Sequence, residues 1–80
     1  MVGYQDEQTK THRVLITLDE DARPLIEDLA DRLRGMGLKA IEVLSLGGVI
    51  AGEATTVNLK KIRQVPGIEK IEDEPTFRSF

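Results

Sequence analysis

Residues 13–36 read RVLITLDEDARPLIEDLADRLRGM, and the periodicity of apolar residues changes within this stretch from that of a strand to that of a helix. Its first six residues are mostly aliphatic or β-branched, and Val14, Ile16 and Leu18 fall on alternate positions. Such alternation is typical of a strand with one buried face. After an acidic break, apolar side chains recur every three or four residues, which is typical of an amphipathic helix. The stretch therefore predicts a strand that leads directly into a helix.

The predicted helix runs from Ala22 to Met36. The acidic residues 19–21 close the strand and supply an N-cap, with negative charge at the positive end of the helix. Pro24 is compatible with this helix because it lies in the first turn, where a missing N–H removes no helical hydrogen bond. Gly37 follows the last apolar position, as a C-cap glycine does.

Two apolar runs follow, at residues 38–46 and 49–54, on either side of a Gly-Gly pair at 47–48. A Gly-Gly pair between apolar runs predicts a β-hairpin. Gly52 inside the second run predicts a bulge or a close approach by another part of the chain. Four apolar side chains of the first run share one parity and are expected on one face: Leu38, Ala40, Leu44 and Leu46.

The last third of the chain predicts a short helix and a final strand. Thr55 or Thr56 is expected to cap a helix over about residues 57–64. The Val-Pro-Gly sequence at residues 65–67 stops this helix. Residues 68–72 then form the last strand, which ends in an acidic cluster.

The element order strand, helix, strand, strand, helix, strand is that of a ferredoxin-like βαββαβ sandwich, an α+β fold. Right-handed crossovers place both helices on one face of a four-stranded antiparallel sheet. We expect this domain over residues 12–75, after a flexible arm at 1–11 and before a tail at 76–80. The opposite sheet face is either covered by a partner or is an ordinary, partly apolar solvated face.

The composition restricts the classes of function. The chain has 80 residues, a net charge of -3 and no cysteine, so it is expected to form one domain without disulfides. A net acidic chain argues against nucleic-acid binding, and no apolar run is long enough to span a membrane. Because the first ten residues are unlike a signal peptide, we expect a cytoplasmic monomer, or a secreted one if a leader was removed.

No group of residues has the pattern of an enzyme or cofactor site. His12 is the only histidine and is interpreted as a surface residue. The carboxylates at residues 19–21 and 72–74 lack the spacing and central glycine of a calcium loop. The glycines at 47–48 are not followed by the Lys-Ser or Lys-Thr of a phosphate loop. We therefore expect no catalytic residue, no metal and no cofactor.

The three aromatic residues are Tyr4, Phe77 and Phe80, and none lies in the predicted core. A frayed terminus is usually polar, and exposed phenylalanine is uncommon without a purpose. An extended peptide with aromatic side chains at near-alternating positions is what a cleft with side-chain pockets recognises. The tail is therefore a candidate binding segment.

Residues 62–74, IRQVPGIEKIEDE, resemble the peptidase inhibitor family formed by the propeptides of subtilisin-like serine proteases. That family, which includes stand-alone inhibitors, has a helix ending in Leu-x-x-x-Pro-Gly-Val. A strand of the type Val-x-x-Val-Glu-x-Asp and a short tail follow. Residues 49–54 match a family strand with a central glycine. The resemblance covers about residues 13–80, and Glu53 departs from it where the family often has an aromatic residue.

The resemblance implies an inhibitor of subtilisin-like serine proteases, with an intramolecular chaperone-like role in the family. The tail would enter the protease cleft like a cleaved product: Thr76, Phe77, Arg78, Ser79 and Phe80. Phe80 would fill the primary specificity pocket, Phe77 the pocket three residues further out, and Arg78 would face solvent. The open sheet face would pack on two protease helices, whose positive N-termini would meet three acidic residues: Glu72, Asp73 and Glu74.

Two alternatives remain open on the sequence. One is a ferredoxin-like regulatory module that binds a small ligand or dimerises through its sheet, without an effect on proteases. The other is a propeptide fragment separated from its own protease.

Overall fold

The computed structural model describes residues 9–74, so the predicted tail and most of the predicted arm lie outside the described residues. The four strands are β1 (Thr11–Leu18), β2 (Lys39–Leu44), β3 (Val49–Thr55) and β4 (Ile68–Asp73). The helices are α1 (Ile26–Gly35) and α2 (Thr56–Ile62). The strands form one antiparallel sheet in the order β2-β3-β1-β4. The predicted α+β ferredoxin-like fold is confirmed.

The core lies between the helices and one face of the sheet. Val14, Ile16 and Leu18 are at most 1% exposed, as their alternation predicts. On the neighbouring strand, Ile50 pairs with Ile16 and is fully buried. The helices contribute aliphatic side chains to the same cluster: Ile26, Leu29, Ala30, Leu33, Leu59 and Ile62. No polar or charged residue among residues 9–74 is buried.

The segment between β1 and α1 differs from the prediction. Regular α-helix begins at Ile26, and the preceding residues Arg23–Leu25 form a 3-10 turn. The Asp19 carboxylate accepts a hydrogen bond from the Ala22 N–H at 3.0 Å, so it closes a turn and does not cap the helix. Pro24 lies at the start of the 3-10 turn, where its fixed φ is accommodated and no donor is lost.

The predicted parity of β2 is wrong. Leu38 is 1% exposed, but Leu44 and the turn residue Leu46 are exposed. Ile41 and Val43, on the other parity, pack against the core instead. The register of β2 against β3 shifts between Lys39 and Glu42, and Ala40 has a φ of +51°. A β-bulge therefore switches which alternate residues face the helices.

Gly52 lies opposite this bulge and has the close contact that its sequence position predicts. A Cβ on Gly52 would lie 2.7 Å from Cγ of Leu38, so the Leu38 side chain occupies the space that a larger residue would need. The pairing of β3 with β1 passes through Gly52 without a shift. The irregularity is therefore confined to the β2 side of β3.

The second helix is capped as expected but is shorter. Oγ1 of Thr55 accepts a hydrogen bond from the Asn58 N–H at 3.2 Å, which makes Thr55 the N-cap. The helix ends at Ile62, two residues before the predicted end. Gly67 follows in the turn with a φ of +98°, and a Cβ there would lie 2.8 Å from the Ala22 Cβ. This contact joins the loop before β4 to the segment before α1.

Candidate binding face

The sheet face opposite the helices, called the open face below, is covered by no element among residues 9–74. Pairing registers place its side chains in three rows that cross the strands in the order β2, β3, β1, β4. The charged row is Lys39, Glu53, Arg13 and Glu74. The middle row is Glu42, Ala51, Leu15 and Glu72. The hairpin-side row is Leu44, Val49, Thr17 and Lys70.

The charged row alternates in sign across all four strands. Nη1 of Arg13 lies 3.4 Å from Oε2 of Glu53, and Nε of Arg13 lies 2.8 Å from Oε1 of Glu74. The second contact is an ion pair whose alignment falls short of a hydrogen bond. The Arg13 side chain is 37% exposed and lies between the two carboxylates. The Arg13 guanidinium therefore contacts two carboxylates at the end of the sheet where β4 ends.

The middle row has an apolar centre between two acidic edges. Ala51 is only 2% exposed although it faces away from the core cluster, and Leu15 beside it is half-buried. Glu42 and Glu72 are exposed on the outer strands. Three strand spacings separate their backbones by about 14 Å. The row presents a narrow apolar strip with a negative charge on each side.

The hairpin-side row is apolar toward β2 and basic toward β4. Leu44 is 42% exposed, and Leu46 in the adjoining turn is fully exposed. Nζ of Lys70 lies 3.8 Å from Oε2 of Glu72 in the middle row. An apolar corner at the hairpin and a charged corner at β4 thus occupy opposite ends of this row.

The three acidic residues predicted to contact a protease do not share a face. Glu72 and Glu74 lie on the open face, whereas Asp73 pairs with Val14 and shares the helix-side parity. Glu74 is additionally held by Arg13, so Glu72 is the more accessible of the two open-face carboxylates. The alternation of a strand predicts this separation. The predicted tail residues 76–80 lie outside the described residues.

His12 is half-buried rather than a freely exposed surface residue. Its Nε2 shares a hydrogen bond with Oγ1 of Thr56 at 2.7 Å. This contact ties the start of β1 to the first turn of α2. Among residues 9–74, no group of three or more His, Cys, Asp or Glu side chains could hold a metal ion.

A cavity of about 290 Å³ opens at the end of the sheet, between β2, β3 and the start of α2. The sequence did not predict this cavity, because the cavity depends on the β2 bulge and on the turn at Gly37, whose φ is +101°. The Gly37 signal was visible in the sequence, but it indicated only a helix end. The cavity is lined by Thr11, Gly37, Lys39, Glu53, Ala54, Thr55 and Asn58.

Comparisons with known proteins give no relative. No family model matches the chain, and neither a curated protein nor a solved structure matches it. The resemblance of residues 62–74 to protease propeptides therefore stays a prediction. Within residues 9–74, no helix has the length and apolar character needed to cross a membrane.

Proposed function

We propose that this chain inhibits subtilisin-like serine proteases, with its open face against the protease and residues 76–80 in the catalytic cleft. The observation that carries the proposal is the position of Glu74. This last described residue belongs to the open face and is fixed to Arg13. The segment that follows starts beside the charged row, so the face and the tail can act on one protease molecule.

The chemistry of the open face supports the same partner. Leu15 is the accessible part of the apolar strip and offers a contact to a helix, since Ala51 beside it is only 2% exposed. Glu42 and Glu72 flank this strip with exposed carboxylates. Helix N-termini carry partial positive charge and favour a nearby carboxylate. A protease surface with two helix N-termini beside an apolar ridge would complement the middle row.

The aliphatic core supports a binding role for the tail. Residues 9–74 contain no Phe, Tyr or Trp, and the core cluster consists of aliphatic side chains. Because the described core uses aliphatic side chains alone, the proposal assigns the Phe77 and Phe80 rings to the partner. In the proposed complex, Phe80 fills the primary specificity pocket, Phe77 fills the outer pocket, and Arg78 faces solvent.

Removal of residues 76–80 tests the proposal. Inhibition is measured by titrating a subtilisin-type protease against a chromogenic substrate, and circular dichroism checks the fold. We expect the truncated chain to remain folded and the inhibition constant to rise at least about a hundredfold. Burial of one Phe side chain contributes about 1.5–3 kcal/mol, and two such side chains are lost.

Point variants refine the truncation experiment. Phe80→Ala and Phe77→Ala should each weaken inhibition, and Arg78→Ala serves as the matched control because it shortens a solvent-facing side chain. Equal inhibition by the full and truncated chains would contradict the tail mechanism. Absence of inhibition by the full chain would contradict the function itself.

A second candidate function is that of a regulatory module for a small polar ligand. The observation that favours it is the cavity of about 290 Å³, which is close to the small end of ligand sites. The cavity is lined by a cation, Lys39, an anion, Glu53, and an amide, Asn58. This combination of charges suits a small zwitterion. Such a ligand should raise the unfolding temperature of the chain, and Asn58→Leu should abolish this rise without affecting protease inhibition. If none of the zwitterions tested raises the unfolding temperature, this candidate function is excluded.

A further inference from the structure

Glu74 is attached to Arg13 through both its main chain and its side chain. The Glu74 N–H donates a hydrogen bond to the Arg13 carbonyl oxygen at 2.9 Å. The Glu74 Oε1 atom lies 2.8 Å from Nε of Arg13. These contacts extend the pairing of β4 with β1 by one residue beyond Asp73.

This double attachment occurs at an otherwise weakly held edge of the sheet. Among residues 9–74, β4 pairs with β1 alone, and its register is irregular at the opposite end, between Thr17 and Leu18. The last pair of an edge strand is prone to local opening. The ion pair counteracts that opening at the residue where the described chain ends.

The same ion pair contributes little to the stability of the fold. The Arg13 and Glu74 side chains are 37% and 33% exposed. Ion pairs at such partly exposed sites add little to the free energy of unfolding. The Val14, Ile16 and Leu18 side chains of the same strand already hold β1 in the core. A contact of small energetic value can still fix the position of one residue, here Glu74.

We propose that Arg13 is a positioning residue, which fixes Glu74 on the open face and so holds the point from which the cleft-binding segment of the proposed inhibitor continues. This role rests on the proposed inhibitor function. A binding segment whose starting point is fixed loses less conformational freedom when it enters a cleft, so it binds more tightly. Arg13 acts through Glu74 and needs no contact with the protease.

The test compares Arg13→Gln and Glu74→Gln with the control Asp31→Asn, which removes the ion pair of Asp31 with Arg34 on α1, away from the open face. Three quantities are measured: the unfolding temperature, the hydrogen exchange rate of the Glu74 amide, and the inhibition constant for a subtilisin-type protease. We expect the first two variants to exchange faster at Glu74. Their inhibition constants should rise about three- to tenfold at nearly unchanged unfolding temperature. Asp31→Asn should leave Glu74 exchange and inhibition unchanged.

The double variant separates positioning from direct contact with the protease. If Arg13 acts through Glu74, the variant with both Arg13→Gln and Glu74→Gln should inhibit no worse than either single variant. Arg13→Lys keeps the positive charge and should restore part of the inhibition. Additive losses in the double variant would overturn the positioning role.

The exchange measurement keeps the two proposals separate. Unchanged Glu74 exchange in Arg13→Gln would overturn the positioning role, whether or not the wild-type chain inhibits. A wild-type chain that inhibits no subtilisin-type protease would overturn the proposed function, and with it the consequence for the tail.

Discussion

The two faces of the sheet are made by the same strands and differ in almost every side chain. On the helix side, Val14, Ile16 and Ile50 are at most 1% exposed. On the open face, most positions in the three rows are charged, and the apolar Leu15 and Ala51 lie between two carboxylates. A step of one residue along a strand moves a side chain from one environment to the other. The residues that hold the core and those of the proposed binding face are therefore different, and the two sets can be changed separately.

In the edge strand β2, apolar and charged side chains stay on opposite faces although the strand contains a bulge. In β1 the alternation is uninterrupted, so every second residue faces the helices. In β2 the bulge at Ala40 keeps Leu38 on the helix side and leaves Lys39 and Glu42 together on the open face. Without the shift, Glu42 would share the side of Leu38, where a buried carboxylate would be costly. The bulge thus keeps charge out of the core.

The largest expected contrast between the faces is at neighbouring residues of β1. Ile16→Ala should lower the free energy of unfolding by about 2–5 kcal/mol because it opens a cavity in a fully buried site. Leu15→Ala, on the half-buried open face, should cost about 1 kcal/mol. Chemical denaturation measures both. Ile16→Val, with an expected loss of about 0.5–1.5 kcal/mol, serves if the alanine variant does not fold.

For inhibition, the order of the two positions should be reversed: a change at Leu15 should have the larger effect. Leu15→Ala should weaken inhibition of a subtilisin-type protease, whereas folded Ile16→Val should inhibit as well as the wild type. Equal losses of stability at the two positions would break the contrast between the faces.

The second contrast concerns the space around two glycines. Gly52→Ala should destabilise the fold by about 1–3 kcal/mol, because the new methyl group would overlap the Leu38 side chain. Gly35→Ala is the matched control, since among the described residues nothing beyond its sequence neighbours and its own helix backbone lies within 4 Å of a Cβ at Gly35. This control in α1 should be neutral or stabilising, because alanine is the better helix former. Thermal unfolding of the two variants provides the measurement.

A double variant locates the cause of the Gly52 effect. If the overlap with Leu38 is responsible, Leu38→Ala combined with Gly52→Ala should cost less than the sum of the two single changes. Additive costs would show that Gly52 is required for another reason.

The sequence predicted the regular parts of this fold because their signals are local. The alternation in β1 and the hydroxyl of Thr55 before α2 each depend on neighbouring residues. The β2 parity was not predictable in this way. Ala40 adopts a φ of +51°, and nothing in its own sequence neighbourhood demands a conformation that alanine rarely takes. Ala40 lies within the register shift opposite Gly52, where Leu38 packs, so the relevant contacts are tertiary.

The candidate site was predictable to a similar degree. An acidic end of β4 was visible, but its division between the two faces needs the register against β1. The link of Arg13 to Glu53 and Glu74 joins three strands that are far apart in the sequence. Only the sheet order β2-β3-β1-β4 brings these residues into one row.

The smallest expected effect on stability is at the hairpin tip. Leu46→Ser should change the free energy of unfolding by no more than about 0.5 kcal/mol, because the Leu46 side chain is fully exposed. Leu38→Ser, at the opposite end of β2, is the contrasting variant, and it should destabilise strongly because it puts a hydroxyl where a buried leucine packs.

Chemical denaturation of Leu46→Ser therefore tests whether the hairpin-side corner of the open face contributes to the free energy of unfolding. A neutral result, together with unchanged inhibition, would confine the binding surface to the charged and middle rows. A neutral result with weaker inhibition would extend that surface to the hairpin, at the end of the sheet away from Glu74. A loss of stability close to that of Leu38→Ser would mean that Leu46 is buried in solution, and that the division between the two faces does not hold at this end of the sheet.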